Sequence, residues 1–477
     1  MKRTATFILC TGVFLLAGQA IQAQTPQTLS LKQAVETAID NNLQVRQAEY
    51  QAESDKVLYQ QAKGNQLPFI SGNINHGINQ GRSIDPYTNT YADQQINFAN
   101  YSINTSVVIW NGSSIRNNIK QNELNSKASE MDWQQAKENI TINVILAYLQ
   151  VLSNQEQLTI AKKQVEVSRN QVERLKILNA EGAIMPSDLY DLKALLAGDE
   201  LNVLTVRTNL ENAKLSLAQL MNVQYNTNIQ LENIGEQASP VLYDGTPDNI
   251  YQLASQQLAY VKAAELRNQS ASRRVLATKG RFLPTLSFNG GLGSNYSSVA
   301  NRLDLIGTSD MPTNGYVTVS GTKVPVFSPQ STYHSQTITY GSQLSNNLNS
   351  SLGIGLSIPI LNGLLAKSNY RQARIIEKRT AFEAQTAKTV LRQAVDQAYV
   401  NMNAAFEKYQ TLSRQLEDFT NSFKAAEVRF NAGVKSSVEY LLAKNNMDRA
   451  NANFVAAKYD YLLRSKVLDF YQSKPLW

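Results

Sequence analysis

Polar and apolar residues alternate with two different periods along the chain, and the change of period marks its main elements. From Ser30 to about Lys63 apolar residues recur at the spacing of one face of a helix. After Pro68 they recur at even positions, with polar residues between them. This pattern predicts one helix followed by a strand, with Pro68 at the joint because proline cannot continue a helix. The apolar positions of the strand are Ile70, Ile74 and Ile78.

The same joint occurs twice in the sequence. Leu67-Pro68 recurs as Leu283-Pro284, at an offset of 216 positions. A later strand-to-helix joint, Trp110-Asn111-Gly112, recurs as Leu361-Asn362-Gly363 at an offset of 251 positions. Two copies of helix, strand, strand and long helix indicate an internal duplication. The predicted helix–strand joints are therefore Pro68, Pro284, Gly112 and Gly363.

Each repeat contains a predicted β-hairpin, at about 69–110 and about 285–361, and the last return strand is expected to run to Ile360. An ordinary half-buried sheet alternates in the same way. Four strands of about 9 to 11 residues, in a chain with a signal peptide and no transmembrane helix, favour an outer-membrane barrel. Four strands are fewer than the roughly eight that close a barrel, so several chains must share one.

The two loops inside these hairpins differ in length. One extends from about Gly81 to Asp93, and the other extends from about Ser297 to Gln343 and is rich in Ser, Thr, Gly and Asn. Both are predicted to be extracellular, and the second is expected to be only partly ordered.

Long helices follow each hairpin. Ser113 to about Asn179 contains no helix breaker and predicts a helix of roughly 100 Å. Apolar residues resume after Gly182 at alternating steps of three and four, a coiled-coil seam in which Asp199 occupies one position. Gly182 corresponds to Gly433 at the offset of 251, so both helical hairpins are expected to have equal length.

The predicted organisation has four parts. Residues 1–23 are a signal peptide, with a short apolar run and a small-residue cleavage site after Ala23. The first repeat is 24–222, a linker occupies 223–245, and the second repeat is 246–477.

Composition removes several classes of function. The only cysteine, Cys10, lies in the signal peptide, so the mature chain has no thiol chemistry. The net charge of +7 includes Lys2 and Arg3 of the predicted signal peptide. The sequence has no basic patch with interleaved aromatic residues, which is the pattern typical of nucleic-acid binding. With only two histidines and no catalytic or metal-binding motif, we expect no enzyme activity, no catalytic residue, no metal site and no cofactor.

The order of these joints and tips, duplicated with matching spacing, resembles the TolC family of outer membrane efflux proteins over nearly all of the mature chain. The resemblance implies a mainly α-helical chain with a membrane β part. Three copies would form a homotrimer with a twelve-stranded β-barrel in the outer-membrane lipid and an α-helical tunnel in the periplasm. It also implies a passive exit channel for small molecules. The partners would be a periplasmic adaptor (membrane fusion) protein and an inner-membrane transporter of the RND or ABC type.

The resemblance also implies a periplasmic constriction near the helix tips. Its matching positions are Asp188, six residues after Gly182, and Lys435 and Glu439, two and six residues after Gly433. Two positions differ from the family pattern: Phe430 replaces a tyrosine, and Leu442 replaces a second acid. A single threefold ring of Glu439 attracts cations less strongly than a double ring. Asp188 and Lys435 either pair to hold the gate closed or are two solvated charges beside a turn.

The tips themselves are where an adaptor would dock in this family. Their candidate docking residues are Gly182, Ala183, Ile184, Met185, Gly433 and Val434, which also fit ordinary helix–helix turns. Two alternative functions stay open: a type I protein secretion duct, and a structural or adhesive outer-membrane coiled coil.

Overall fold

The structure is a computed structural model that describes residues 28–85, 89–234, 240–434 and 436–476. The predicted signal peptide and Lys435 lie outside this part of the chain. The helices are α1 (Leu31–Asn41), α2 (Leu43–Gly64), α3 (Ser114–Ala180), α4 (Pro186–Met221), α5 (Pro247–Gln257), α6 (Ala259–Gly280), α7 (Tyr340–Asn346), α8 (Leu365–Asn431) and α9 (Ser437–Tyr471). The strands are β1 (Thr28–Leu29), β2 (Phe69–Asn79), β3 (Arg82–Ile84), β4 (Tyr91–Asp93), β5 (Ile96–Trp110), β6 (Gln230–Leu231), β7 (Thr285–Ser297), β8 (Asn301–Val319), β9 (Thr322–Thr337) and β10 (Asn349–Ser357).

The helices repeat along the chain with the offsets seen in the sequence. Helices α1 and α2 have the same lengths as α5 and α6, which begin 216 positions later. Helices α3 and α8 each contain 67 residues and begin 251 positions apart. Equivalent sequence positions therefore begin and end these six helices in the two halves of the chain.

Contacts within the chain divide it into two compact units. One contains the described residues of Met1–Ala48, Trp133–Leu258 and Thr389–Trp477, including the short parallel pair β1–β6. The other contains Glu49–Asp132 and Ala259–Lys388, including the remaining strands. Each unit takes residues from both sequence repeats.

The helix predicted from Ser30 to Lys63 is two helices, so that prediction was wrong at Asn42. The backbone of Asn42 is extended, with φ −69° and ψ 129°, and this conformation ends α1. The Asn42 side-chain oxygen accepts a hydrogen bond from the Gln44 N–H at 2.9 Å, which satisfies an otherwise free donor at the start of α2. Leu258 separates α5 from α6 with nearly the same backbone angles, φ −65° and ψ 133°.

A four-stranded antiparallel sheet has the strand order β10-β7-β5-β2. The two hairpin registers are equivalent: Ile74 pairs with Tyr101, and their repeat counterparts, Gly290 and Leu352, also pair. Strands β2 and β10 are its outer strands within the described part of the chain. Their large apolar side chains are exposed, at 74% for Ile74 and 79% for Leu352. The sheet thus has an uncovered apolar face and two open edges.

The second loop is regular rather than partly ordered, which corrects our expectation. Strands β8 and β9 form a long antiparallel hairpin, and α7 follows it. Thr, Val and Tyr are common in these strands and favour extended backbone despite the many polar residues. The sequence analysis missed this hairpin because it relied on the composition of the segment, which is rich in polar residues.

The last return strand is shorter than predicted. Strand β10 ends at Ser357 instead of continuing to Ile360, and Ile360 is 94% exposed. Pro359 lacks an N–H, and no strand lies beside the outer edge of β10 in the described chain. In contrast, β5 continues to Trp110 because β7 pairs with it as far as Leu286.

The joint between β5 and α3 approaches the joint between α6 and β7. Gly112 has φ +63°, and a Cβ atom built there would lie 2.5 Å from the Gly280 carbonyl oxygen. Pro284 lies immediately before β7, as Pro68 lies before β2. Only glycine permits both this backbone angle and this close approach.

We expect Gly112→Ala to lower the melting temperature of the detergent-purified protein by several degrees. A left-handed backbone angle alone costs a non-glycine residue about 1–2 kcal/mol, and the clash with Gly280 adds to it. The control is Gly307→Ala in β8, where the added methyl group meets no atom within 4 Å. Equal melting temperatures for the two variants would contradict the close contact.

Candidate functional site

The two helical hairpins end in tips with the same local structure. Gly182 and Gly433 both have φ +71°. The Ala183 N–H donates to the Leu178 carbonyl at 2.9 Å, and the Val434 N–H donates to the Arg429 carbonyl at 3.0 Å. These are the bonds of the Schellman motif, in which a glycine ends a helix. Each long helix therefore stops at its glycine, and the chain turns back into α4 or α9.

The predicted constriction residues lie around these tips. Asp188 and Glu439 lie in the first turns of α4 and α9, where a helix dipole favours negative charge. Asp188 is half-buried, whereas Glu439 is exposed. Phe430 stacks on Tyr440, with ring centroids 4.9 Å apart. Because Lys435 lies outside the described residues, its pairing with Asp188 stays a prediction.

The predicted docking residues differ in exposure. Met185 and Val434 are 72% and 71% exposed, and Ala183 is also exposed. Ile184 is half-buried and packs against the apolar core beneath the tips. The available apolar surface of the tips is therefore formed by Ala183, Met185 and Val434.

That core joins α3, α4, α8 and α9 below the tips. Its buried members are Val172, Leu175, Leu189, Leu192, Phe423 and Tyr440. Burial raises the pKa of the Tyr440 hydroxyl, because its ionised form would lose water. The aromatic stack of Phe430 and Tyr440 needs no hydroxyl at position 430.

Sequence reasoning missed a polar link between α3 and α8 at the tips. Arg174 donates two hydrogen bonds to Asn431, one to the side-chain oxygen and one to the backbone carbonyl at 2.6 Å. Gln171 also donates to the Asn431 side-chain oxygen, at 3.2 Å. At the repeat offset, Ala425 replaces Arg174 and Ala180 replaces Asn431. The second repeat therefore cannot form an equivalent link.

A buried cluster of charges links α4 and α9 further from the tips. The Lys444 side chain is completely buried, and its ammonium lies 2.9 Å from Asp199 and 2.6 Å from Asp448. The Ser168 hydroxyl donates a further hydrogen bond to Asp199. Burial raises the pKa of Asp448, and the neighbouring Lys444 opposes that rise. The Lys444 ammonium thus bridges a carboxylate of α4 and a carboxylate of α9.

The sequence contained one indication of this cluster, which is the carboxylate of Asp199 in an otherwise apolar seam. Its partner was not predictable, because Lys444 and the equivalent Lys193 look alike in sequence. Lys193 is exposed, and the repeat equivalents of Asp199 and Asp448 are Ala450 and Ala197. The charged cluster therefore occurs around Lys444 and has no equivalent around Lys193.

We expect Lys444→Met to destabilise the protein by about 3–5 kcal/mol, because it leaves two largely buried carboxylates without their cation. The matched control is Lys193→Met, which removes an exposed charge and should cost less than about 1 kcal/mol. Thermal denaturation compares the two variants.

The pH dependence of the Lys444→Met defect sharpens this test. Without Lys444 the folded-state pKa of Asp448 rises further, so the protonated carboxyl favours folding and this contribution is lost as the pH rises through that pKa. The defect should therefore be smaller at about pH 5 than at about pH 8. Equal effects of both lysine substitutions would contradict a stabilising cluster.

Among the described residues, no group of three or more His, Cys, Asp or Glu side chains is placed to hold a metal ion. A search of the described helices likewise finds none long and apolar enough to span a membrane. The described chain combines an antiparallel sheet with an exposed apolar face and long paired helices, which is a combination typical of outer-membrane channel proteins.

The sequence pattern of the outer membrane efflux protein family matches residues 34–223 and 250–471. The chain belongs to this family. It is a protein of the bacterial outer membrane with an extension into the periplasm.

The sequence identity to individual relatives is low, but the similarity extends over most of the chain. The chain is 22% identical over 399 residues to outer membrane protein TolC of Vibrio cholerae serotype O1, covering 83% of this chain and 80% of that protein. It is 21% identical to TolC of Escherichia coli K12, covering 70% of this chain and 61%, less than two thirds, of that protein. The crystal structure of the Campylobacter jejuni CmeC outer membrane channel matches with a TM-score of 0.72 and 17% identity, covering 94% of this chain and 87% of that one. The structural match establishes the fold.

Proposed function

We propose that this chain forms a passive exit channel in the outer membrane as a homotrimer. The channel receives small molecules from an energised inner-membrane transporter of the RND or ABC type through a periplasmic adaptor protein. The observation that carries the proposal is the four-stranded sheet with two open edges and an exposed apolar face.

The sheet supports an assembly because an open edge cannot remain in hydrocarbon. Each unpaired N–H and C=O group there costs several kcal/mol, so membrane strands must form a closed barrel. Three copies of four strands give twelve, within the range of outer-membrane barrels. The face with Ile74 and Leu352 contacts lipid, and the opposite face with Asn73, Asn104 and Ser351 lines a wet pore.

The helices support a tunnel that continues the barrel. Helices α3 and α8 have equal lengths of 67 residues, which is about 100 Å of helix each. The two repeats, 24–222 and 246–477, supply equivalent pairs of long helices, and the segment 223–245 joins them. An adhesive stalk offers no reason for duplicated hairpins that fold back at two glycines.

The tips supply the constriction and the docking surface in this proposal. Glu439 forms a threefold ring of carboxylates, and Asp188 pairs with Lys435 to hold the tips together. Phe430 supports that arrangement through its stack on Tyr440. The adaptor packs against the exposed apolar side chains of Ala183, Met185 and Val434, because a hairpin partner can bury them without unpaired polar groups.

Planar-bilayer recording tests the channel itself. The purified protein should give small currents that prefer cations, because the narrowest ring carries carboxylates. A protein that inserts into the bilayer but never conducts, at any voltage, would contradict the proposal.

Glu439→Gln should shift the reversal potential in a salt gradient toward zero, because it removes one carboxylate per chain from the ring while keeping its size. The control is Asp418→Asn, which removes an exposed carboxylate of α8 that lies 13 residues before the end of that helix at Asn431. A larger shift of the reversal potential for Asp418→Asn would contradict a selective ring of Glu439 at the tips.

Arg174→Ala should raise the single-channel conductance several-fold, because it removes the hydrogen bonds that join α3 to Asn431 at the tip. Arg169→Ala is the control, since Arg169 is an exposed residue of α3 that pairs with the exposed Glu200 of α4. Unchanged conductance in Arg174→Ala would show that this link does not restrain the tips.

A further inference from the structure

The helices next to the sheet form a layer in the same order as the strands. Ser129 of α3 donates a hydrogen bond to Asp55 of α2 at 2.5 Å, and Ser270 of α6 donates to a backbone carbonyl of α3 at 3.0 Å. Helix α6 also contacts α8, through a hydrogen bond from Ser272 to Glu377 at 2.9 Å. The helix order α2-α3-α6-α8 therefore continues the strand order β2-β5-β7-β10.

Two cavities show which side of this layer is concave. The first is lined by residues of all four strands, among them Ser71, Asn104, Asn289 and Ser351. The second is lined by residues of all four helices, among them Gln51, Asn125, Arg274 and Thr380. A cavity that four consecutive neighbours share lies on the inside of a curve. The convex side of the sheet therefore carries the apolar side chains that alternate with these polar ones, such as Ile74 and Ile354.

The convex side of the helices is basic where the helices meet the sheet. The segments 56–64, 114–122, 270–281 and 365–376 contain Lys and Arg but no Asp or Glu. At 3.6 residues per turn, six exposed cations lie on the side of α3, α6 or α8 opposite to the residues that line the concave cavity. We call these six residues the basic collar: Arg116, Lys120, Lys279, Lys367, Arg371 and Arg374.

Most of the basic collar lacks a carboxylate partner. Lys120 pairs with Glu123, and Arg374 pairs with Glu377, each at 2.7 Å. Within the described chain, the remaining four collar residues form no ion pair: Arg116, Lys279, Lys367 and Arg371. Two of them, Lys367 and Arg371, are one turn apart on α8, where like charges destabilise a helix. An anion outside the chain would remove this repulsion.

A cavity of about 500 Å³ opens at the basic collar, beside the joint between α6 and β7. Leu276, Phe282 and Leu283 give it apolar walls, and Lys279 places a cation at its edge. Tyr370 completes the lining and packs edge-on against Phe282, with ring centroids 6.0 Å apart. Apolar walls beside a single cation suit a ligand that has a hydrocarbon chain and a negatively charged head.

The basic collar lies where the helices leave the sheet. Trp110 is exposed and forms the last pair of β5 with β7, opposite Leu286, and tryptophan is enriched where a membrane meets water. Arg116 and Lys367 lie in the first turns of α3 and α8, and Lys279 lies in the last turn of α6. Headgroups occupy about 5–8 Å beyond the hydrocarbon core, and one helical turn rises about 5 Å. These cations therefore lie at the level of lipid headgroups when the sheet is in the membrane.

We propose that the basic collar binds the phosphate groups of phospholipids in the periplasmic leaflet of the outer membrane, and that one lipid occupies the cavity at Lys279. This inference rests on the proposed barrel, because the barrel places the collar at the surface of that leaflet. Lys and Arg bind phosphate through charge-assisted hydrogen bonds. The acyl chain of the bound lipid packs against Phe282 and Leu283. The collar thus fixes the depth at which the helices leave the membrane.

Native mass spectrometry of the detergent-purified protein with added phosphatidylglycerol tests the lipid surface, because it counts the lipids that the intact assembly retains. The triple variant Lys279→Gln/Lys367→Gln/Arg371→Gln should weaken the binding of phosphatidylglycerol more than about tenfold. Each of the three cations contributes several-fold to the affinity for an anionic lipid.

The matched control removes the same charge from exposed positions far from the sheet on α3 and α8. It is Lys162→Gln/Lys163→Gln/Lys424→Gln, and it should bind phosphatidylglycerol as the unsubstituted protein does. Equal losses of lipid in the two triple variants would overturn the basic collar as the binding surface.

Two further probes separate a membrane lipid from other ligands. Glycerol 3-phosphate carries the phosphate without acyl chains, and dioctanoylglycerol carries the chains without a phosphate. Neither should displace phosphatidylglycerol when added at the same concentration. Displacement by glycerol 3-phosphate would show a site for small soluble anions, and displacement by dioctanoylglycerol would show that the phosphate is not recognised. Either result overturns the proposal.

Bilayer recording separates this inference from the channel proposal. The collar triple variant should keep the reversal potential of the unsubstituted protein in a salt gradient, because the collar lies on the convex side. A shift toward stronger cation preference would place the collar in the pore and overturn the lipid surface. An unsubstituted protein that never conducts but retains lipid through the collar would overturn the channel and support the lipid surface.

A pair of single variants tests the cavity. Lys279→Gln should weaken the binding of phosphatidylglycerol more than Lys120→Gln, because Lys279 lines the cavity whereas Lys120 already pairs with Glu123. Both substitutions remove one exposed collar charge, so a general surface effect would be the same for the two. Equal losses would overturn the cavity as the site of the bound lipid.

Discussion

The backbone hydrogen bonds at the edges of the sheet are the constraint on which the rest of this structure depends. Strands β2 and β10 expose polar backbone on their outer sides, and their large side chains are apolar. In water such an edge invites aggregation, and in lipid it is forbidden. A single chain cannot satisfy its own edges with four strands. Closure by identical copies is the simplest solution, because one interface repeated around an axis leaves no edge.

The duplication provides the geometry for that closure. Equivalent joints and strand registers in the two repeats give the two hairpins of the sheet the same geometry. The helices depart from this symmetry: Arg174 with Asn431, and Lys444 with Asp199 and Asp448, occur on one side only. The hairpins of the sheet therefore keep the repeat symmetry, and the polar links between the helices break it.

Much of the fold was predictable because its signals are local. Period changes, prolines and glycines located the joints at Pro68 and Gly112. The break at Asn42 was missed because its neighbours keep a helical pattern. The end of β10 depends on whether a strand lies beside its outer edge, and the β8–β9 hairpin was missed because its composition is rich in polar residues. In the candidate site, Lys444 could not be distinguished from Lys193, because burial is a property of packing rather than of local sequence.

Counting the chains in the assembly tests this account most directly. Native mass spectrometry of the protein in detergent measures that number without assuming a register or an activity. The account predicts three chains of the mature sequence and no stable monomer, because twelve strands close the barrel and four do not. A stable monomer that keeps its sheet folded in detergent would contradict the claim that the open edges are joined by further copies.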